Sequence, residues 1–234
     1  MAFVTVAWVV LFVCVFTLVS LPTDNVWKQY VIDHRATSFS REQLTVIVTD
    51  IERVRRREGF CNVLLFGLDS SVSFWLKTNY KGKTVFLNDD FAKIERVRNK
   101  YQNVSIYPVT YHTQLRRDKD KYKEKEDWAG LLMQLNPDVR DEIWHVVIVD
   151  GPAGHCLQCP GRFQSLYMSS ILKRSPDALT VVDDCERPVD ATFALQFFGK
   201  QALFLAVPRN RFLGLHPTVQ CYYRSDNSPG VMQQ

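Results

Sequence analysis

Asn62-Val63-Leu64-Leu65-Phe66-Gly67 is an unbroken apolar run that ends in glycine. A buried parallel strand has this pattern where it turns into a helix. The pattern returns at Thr84–Leu87, followed by Asn88-Asp89-Asp90, and at Ile143–Val149, followed by Asp150-Gly151-Pro152. It returns again at Leu179–Val182, followed by Asp183-Asp184, and Val104–Val109 reads as a further strand. Between the strands the period is helical. Leu44, Ile47, Val48, Ile51 and Val54 share one face after Ser40-x-x-Gln43, a capping-box spacing, and Gly59 suits the stop. Helices are also predicted over Phe91–Tyr101 and Phe163–Lys173, and Ala202–Val207 with Arg211–Leu215 reads as an antiparallel pair closing one edge. Alternation of this kind predicts an α/β fold, a mostly parallel sheet with helices on both faces.

The composition agrees with a core-forming chain. Of 234 residues 46% are hydrophobic, and 29 basic against 25 acidic side chains leave a formal charge of +4. These values exclude a histone-like polycation, a disordered acidic tail and, with only 10 glycines and 10 prolines, a collagen repeat. The apolar residues are unevenly spread, since Met1–Leu21 holds 18 of them and no charge. That run is long enough to cross a hydrocarbon layer of about 30 Å. No basic residue precedes it, so residues 1–21 are expected to be an uncleaved membrane anchor, 22–39 a stem and 40–234 one domain. Lys28, His34 and Arg35 after the span favour a cytoplasmic stem by the charge-bias rule. The Asn103-Val104-Ser105 sequon and five later cysteines favour the lumen instead. An odd number of those cysteines leaves one unpaired, and Cys61, before an apolar strand, suits a buried thiol.

Sheets of this class collect ligands outside the carboxyl ends of their strands, where the four polar clusters lie. Gly67 and Asp89 are 22 positions apart, close to the spacing at which an acid after the second strand reaches a ribose hydroxyl. A nucleoside-containing ligand is therefore expected. Asp69 stands where a pyrophosphate needs bare backbone amides, so a dinucleotide would be repelled. S-adenosylmethionine carries no phosphate and a cationic sulfur, and it tolerates an acid there. The competing role for Asp69 and Asp89 is to cap the helices that follow them.

Phe60–Leu68, Lys83–Asp90, Tyr111–Leu115, Val149–Gly154 and Cys159–Arg162 resemble, in order, the motifs of the plant polysaccharide (xylan) biosynthesis family that contains glucuronoxylan 4-O-methyltransferases. Val182–Arg187 resembles a sixth motif, and the likeness runs from about Leu44 to about Leu215. The resemblance implies a Rossmann-like class I methyltransferase fold and an N-terminal Golgi anchor with a lumenal domain. It also implies S-adenosylmethionine as methyl donor to the 4-hydroxyl of glucuronic acid on xylan. After Phe66-Gly67-Leu68 the family continues Gly-His-Asp-Ser, where this chain has Asp69-Ser70-Ser71-Val72. Its His-Asp pair after the fifth strand is Asp183-Asp184 here.

Methyl transfer to a sugar hydroxyl needs a base or a metal to take up the hydroxyl proton. Asp150 is the first candidate, as base or as ligand of a divalent cation, with Asp184 as its partner and His155 as an alternative base. Gly67, Asp69, Asn88, Asp89, Asp150 and Gly151 are candidates to hold the donor. Tyr111 and Arg162 are candidates to hold the acceptor, the arginine through a uronate carboxylate. Cys156-x-x-Cys159 with His155 and Cys185 has some zinc character, but a disulfide suits an oxidising compartment better, and no metal site is expected. Arg53–Arg57 lacks interleaved aromatic residues, so no nucleic acid is expected, and the charged stretch Arg116–Asp127 reads as a solvated face. The expected partners are an acidic polysaccharide, the membrane and other polysaccharide-synthesis proteins. Two readings compete: a methyltransferase acting on uronic acid residues, and a catalytically inactive anchored scaffold that keeps the fold.

Overall fold

The computed structural model describes residues 39–209 and 218–224. The anchor and stem expected over 1–38, and the strand expected at 211–215, lie outside the described residues. No helix among the described residues is long and apolar enough to cross a membrane.

Helix α1, Arg41–Glu58, begins with the capping box: Gln43 N–H donates to Ser40 Oγ at 3.2 Å, and Ser40 N–H donates to Gln43 Oε1 at 2.8 Å. It stops at Gly59, whose φ of +83° is the left-handed conformation glycine adopts without strain. Its Leu44, Ile47, Val48, Ile51 and Val54 are fully buried against one face of the sheet. The helices α2 (Val72–Thr78) and α3 (Phe91–Lys100) cover the same face. The short helices α4 (Leu115–Asp118) and α5 (Pro137–Arg140), a 3-10 turn over Lys125–Leu131, and the helices α6 (Phe163–Ile171) and α7 (Pro188–Phe198) complete the other layer.

The strands are β1 Val63–Phe66, β2 Thr84–Asn88, β3 Ser105–Pro108, β4 Trp144–Val149, β5 Arg174–Val182, β6 Leu203–Arg209 and β7 Thr218–Arg224. They lie in the order β3-β2-β1-β4-β5-β7-β6, with the first five parallel and β7 antiparallel to both of its neighbours. Leu64 and Phe66 enter one core while Val63 and Leu65 enter the other, so β1 is buried on both faces and carries no polar alternation. Several boundaries differ from the periodicity, β6 among them, which runs from Leu203 to Arg209. The helix after Phe163 ends at Ile171, and β5 starts five residues earlier than Leu179, at Arg174, where it pairs with Trp144 before a register shift. The strand that pairs with β6 is Thr218–Arg224, and it inserts beside β5, with Val182 opposite Cys221.

Cys185 and Cys221 form a disulfide, as do Cys156 and Cys159, while Cys61 is free and buried, its thiol pushed up to about 12 by burial. The first bridge ties the loop after β5 to the inserted strand across a separation of 36 residues. Closing a loop of that length is worth about 3–4 kcal/mol in the chain-entropy account. The Cys185→Ser variant should therefore melt roughly 10 °C below the oxidised parent. A melt unchanged by either the substitution or reductant would refute the clamp.

The basic run on α1 is neutralised within the fold. Arg53 and Arg57 share Asp177 at 2.5 and 2.6 Å, Arg53 also holds Asp50 at 2.9 Å, and Arg56 holds Glu52 at 3.3 Å.

Candidate functional site

The carboxyl ends of β1, β4 and β5 are stepped together by backbone bonds. Asp150 N–H donates to Phe66 O at 2.9 Å and Asp183 N–H to Val149 O at 3.0 Å. Gly67 follows β1 with φ +124°, a conformation a side chain would strain. Gly151 lies against it so closely that a Cβ there would fall 2.9 Å from Gly67 Cα. The two central strands thus end in a bare backbone crossing, the close approach for which only glycine has room.

Asp69 and Asp150 flank this crossing. Asp69 accepts Ser71 N–H at 2.8 Å and the Ser71 hydroxyl, and Ser71 Oγ in turn accepts Trp75 Nε1–H at 2.9 Å. Burial raises the Asp69 pKa against these hydrogen bonds. Asp69 therefore orders the turn before α2, whose N-cap is Ser71, while facing the crossing. Phe39 and Trp75 meet edge to face with ring centroids 6.1 Å apart, and with Asp69 and Asp150 they close a cavity of about 10 Å³, the space of one water.

At the end of β2, Asn88 Oδ1 accepts Asp90 N–H at 3.0 Å and Asp90 Oδ1 accepts Lys93 N–H at 2.9 Å. Asp90, not Asp89, caps α3. Asp89 is left exposed at the strand tip, free of the capping role that competes with ribose binding. Tyr111 lies within reach of the charges of Asp89 and Arg162. Burial raises its phenol pKa, and Ser165 Oγ–H donates to its oxygen at 3.1 Å.

The acids of β4 and β5 form a pair that the spacing does not single out. Burial raises the Asp150 pKa well above the usual carboxylate range, and the charge of Asp183 raises it further. Asp183 is itself pushed up to about 6 by burial and by Asp184. The two carboxyls meet, and the contact raises Asp150 while it lowers Asp183. Asp183 Oδ1 also accepts Gln220 Nε2–H at 3.1 Å, Tyr222 OH donates to Gln220 Oε1 at 2.6 Å, and these groups are buried. The partner expected for Asp150 is Asp184. The structure replaces it with Asp183, because Asp184 turns into the left-handed region (φ +52°) and faces Arg162 at 3.1 Å and Arg187 at 2.5 Å.

Arg162 is only 2% exposed. Its guanidinium donates to the carbonyls of Pro152 (3.1 Å), Asp150 (3.1 Å) and Asp183, and to the carboxylate of Asp184, with Asp150 Oδ1 at 3.5 Å. A fork expected to face a uronate is spent inside the protein on holding the ends of β4 and β5 together. Burial opposes its charge, but Asp150, Asp190, Asp183 and Asp184 outweigh burial and keep it cationic. Asp190, also buried, is pushed up to about 6 by burial against the pull of Arg162 and Arg187. His155 is exposed in the loop after β4, and among the described residues no bond links it to the acid pair. Gln164 anchors the Tyr111–Thr113 loop from α6, its Oε1 accepting His112 N–H at 2.9 Å.

Most metal-ligating groups on this rim are committed. Asp150 and Asp183 face each other, Asp184 is held by two guanidinium groups, and Cys156 and Cys159 are bridged. No group of three metal-ligating side chains occurs among the described residues. The donor set does not suit a divalent cation, and no step is derived through one. A nucleoside donor without phosphate fits better. Asp89 is exposed at the β2 tip, and the acids would meet a cationic sulfur.

A sequence profile of the IRX15/IRX15L/GXM family matches residues 46–210. The chain is 31% identical over 183 residues to glucuronoxylan 4-O-methyltransferase 2 of Arabidopsis thaliana, covering 70% of this chain and 63% of the relative. It is 30% identical over 200 residues to glucuronoxylan 4-O-methyltransferase 3 of the same plant, covering 78% of this chain and 63% of the relative. The chain thus spans less than two thirds of the length of these relatives. Among solved structures it resembles cofactor-bound Rv0187 from MTB, with a TM-score of 0.52 at 14% identity over 88% of this chain and 92% of that one, a likeness of fold alone.

Proposed function

The chain belongs to the IRX15/IRX15L/GXM family and has a Rossmann-like methyltransferase fold, and from that premise we propose that it is an S-adenosylmethionine-dependent O-methyltransferase acting on uronic acid residues of a polysaccharide. The observation that carries this reading is the Asp150–Asp183 acid pair, each member raised by burial, beside the bare Gly67–Gly151 crossing. S-adenosylmethionine supplies a methyl group made electrophilic by its sulfonium. Gly67 and Gly151 would let it lie against backbone, Asn88 and Asp89 would hold its ribose, and Asp69 would face its charged end. Asp150, with Asp183 behind it, would take up the proton of the acceptor hydroxyl. Tyr111 would line the acceptor side. Arg162 keeps the strand ends in place, so that the acid pair is positioned before substrate arrives.

The acceptor we infer is a glucuronoxylan-like chain, methylated at a uronate 4-hydroxyl, as the names of the two relatives indicate for those proteins. The two disulfides suit the oxidising lumen of the secretory pathway, and with the apolar Ala2–Leu21 run they support a Golgi membrane protein with a lumenal domain. Other polysaccharide-synthesis proteins are natural partners for such a placement.

One observation favours the inert scaffold. With Phe39 and Trp75 in place, the cavity between Asp69 and Asp150 is only about 10 Å³, so donor entry requires these rings to move. Calorimetric titration of the full chain with S-adenosylmethionine separates the readings. Saturable heat at submillimolar donor is expected of the enzyme, and no heat at millimolar donor would sink it in favour of the scaffold.

A further inference from the structure

We propose that α3 carries a second, non-catalytic site for carboxylate-bearing sugar residues, outside the crossing where the chemistry is placed. An open groove of about 260 Å³ runs between the loop after β1 and one side of α3, lined by Lys93, Arg96, Val97, Lys100 and Tyr101. Spacings of three and four residues put the three cations on one stripe of the helix, spanning about 10 Å along its axis. Among the described residues none of them forms an ion pair. The neighbouring Arg98 shows the contrast: it turns away to Glu95 at 3.1 Å and to the carbonyl of Ile106 at 2.8 Å. The carboxyl bordering the groove, Asp69, is buried and bonded to Ser71, and burial shifts it toward its neutral form.

The basic run on α1 packs four arginines into residues 53–57 but is cancelled by Asp50, Glu52, Glu58 and Asp177. Lys93 pulls on the buried Asp69, but among the described residues no carboxylate lies in ion-pair contact with the α3 stripe, which leaves its cations open to a counter-ion from outside. Val97 and Tyr101 are half-buried and packed on the core, which fixes an apolar wall beside the cations, and Lys100 Nζ lies 5.1 Å from the Tyr101 ring centroid. A sugar ring offers an apolar face to such a wall, and a uronate adds the carboxylate that the ammonium and guanidinium groups would bind. A nucleic acid would need a wider basic surface, and Asp89, Asp90 and Glu95 interrupt this one.

The choice of occupant rests on the acidic-polysaccharide reading above. Its use would be to hold one stretch of the acceptor chain while a neighbouring uronate reaches Asp150. The test is binding of a short oligogalacturonate to the full chain, with a neutral xylo-oligosaccharide of equal length as control. The parent should bind the acidic oligomer in a salt-sensitive way. The combined Lys93→Gln, Arg96→Gln and Lys100→Gln variant should lose at least about tenfold in affinity, or about 1.4 kcal/mol, with its melting temperature unchanged. Equal affinity in parent and variant overturns the proposal. So does tighter binding of single-stranded DNA or anionic phosphatidylserine vesicles to the same three residues. Loss of oligogalacturonate binding in the variant supports the groove even in a chain that takes up no S-adenosylmethionine, an outcome that would overturn the transferase reading alone.

Discussion

Replacing Asp150 with Asn is expected to lower methyl transfer to an acidic xylo-oligosaccharide by about 10²–10⁴-fold, the usual worth of a positioned general base. Donor affinity should stay within a few fold, because an asparagine keeps the size and the backbone bonds of the aspartate. The physical basis is the raised proton affinity of Asp150. Burial and the Asp183 charge hold the Asp150 carboxyl above its ordinary range, so the pair accepts a proton from a hydroxyl only after losing its own. Activity should therefore rise with pH through the region near 6, where Asp183 titrates, and beyond it as the pair loses its second proton. Asp183→Asn supplies the control that a merely structural role would not satisfy. Removing the like charge lets Asp150 ionise at lower pH, so the acid limb of the rate profile should move toward acid. A fully active Asp150→Asn enzyme, or a limb that stays in place in Asp183→Asn, would overturn the assignment.

What could be read from the chain alone follows the range of the interactions. The Ser40–Gln43 box, the Gly59 stop and the apolar runs of β1, β2 and β4 are local, and each appears where its residues predict. The place of β7 is not local. Its register against β5 is set by pairing across some forty residues and by the Cys185–Cys221 bridge, neither of which leaves a periodic trace. In the site, Asp69, Asp89 and Asp150 are identifiable because strand ends point to them. Choosing between Asp183 and Asp184 depends on one backbone angle: Asp183 continues the hydrogen bonding of β5, and Asp184 turns away at φ +52°. Gln220, which holds Asp183, arrives on the inserted strand and cannot be placed before that strand is. Arg162 misleads for a compositional reason, since arginine is almost never fully buried unless paired, and its partners come from three separate segments.

Arg162 is also where the largest loss of stability is expected. Arg162→Met should destabilise the domain by about 3–5 kcal/mol at pH 8, the cost of leaving buried acids without their cation. Methionine fills comparable space but supplies none of the donors that Asp150, Pro152, Asp183 and Asp184 now receive. The sign of the pH dependence follows from the acids. Unfolded carboxyls titrate near 4, while Asp183 and Asp190 in the fold titrate at about 6, so the folded chain binds extra protons between these values. Their contribution to stability is complete below about pH 4 and is lost as pH climbs past 6. Without the guanidinium, which now lowers all three of Asp150, Asp183 and Asp190, this penalty grows. Thermal melts of parent and variant should therefore lie much closer together at pH 5 than at pH 8, where roughly 10 °C or more should separate them. An equal gap at both pH values would mean that Arg162 acts through packing alone, and the electrostatic clamp at the strand ends would have to be given up.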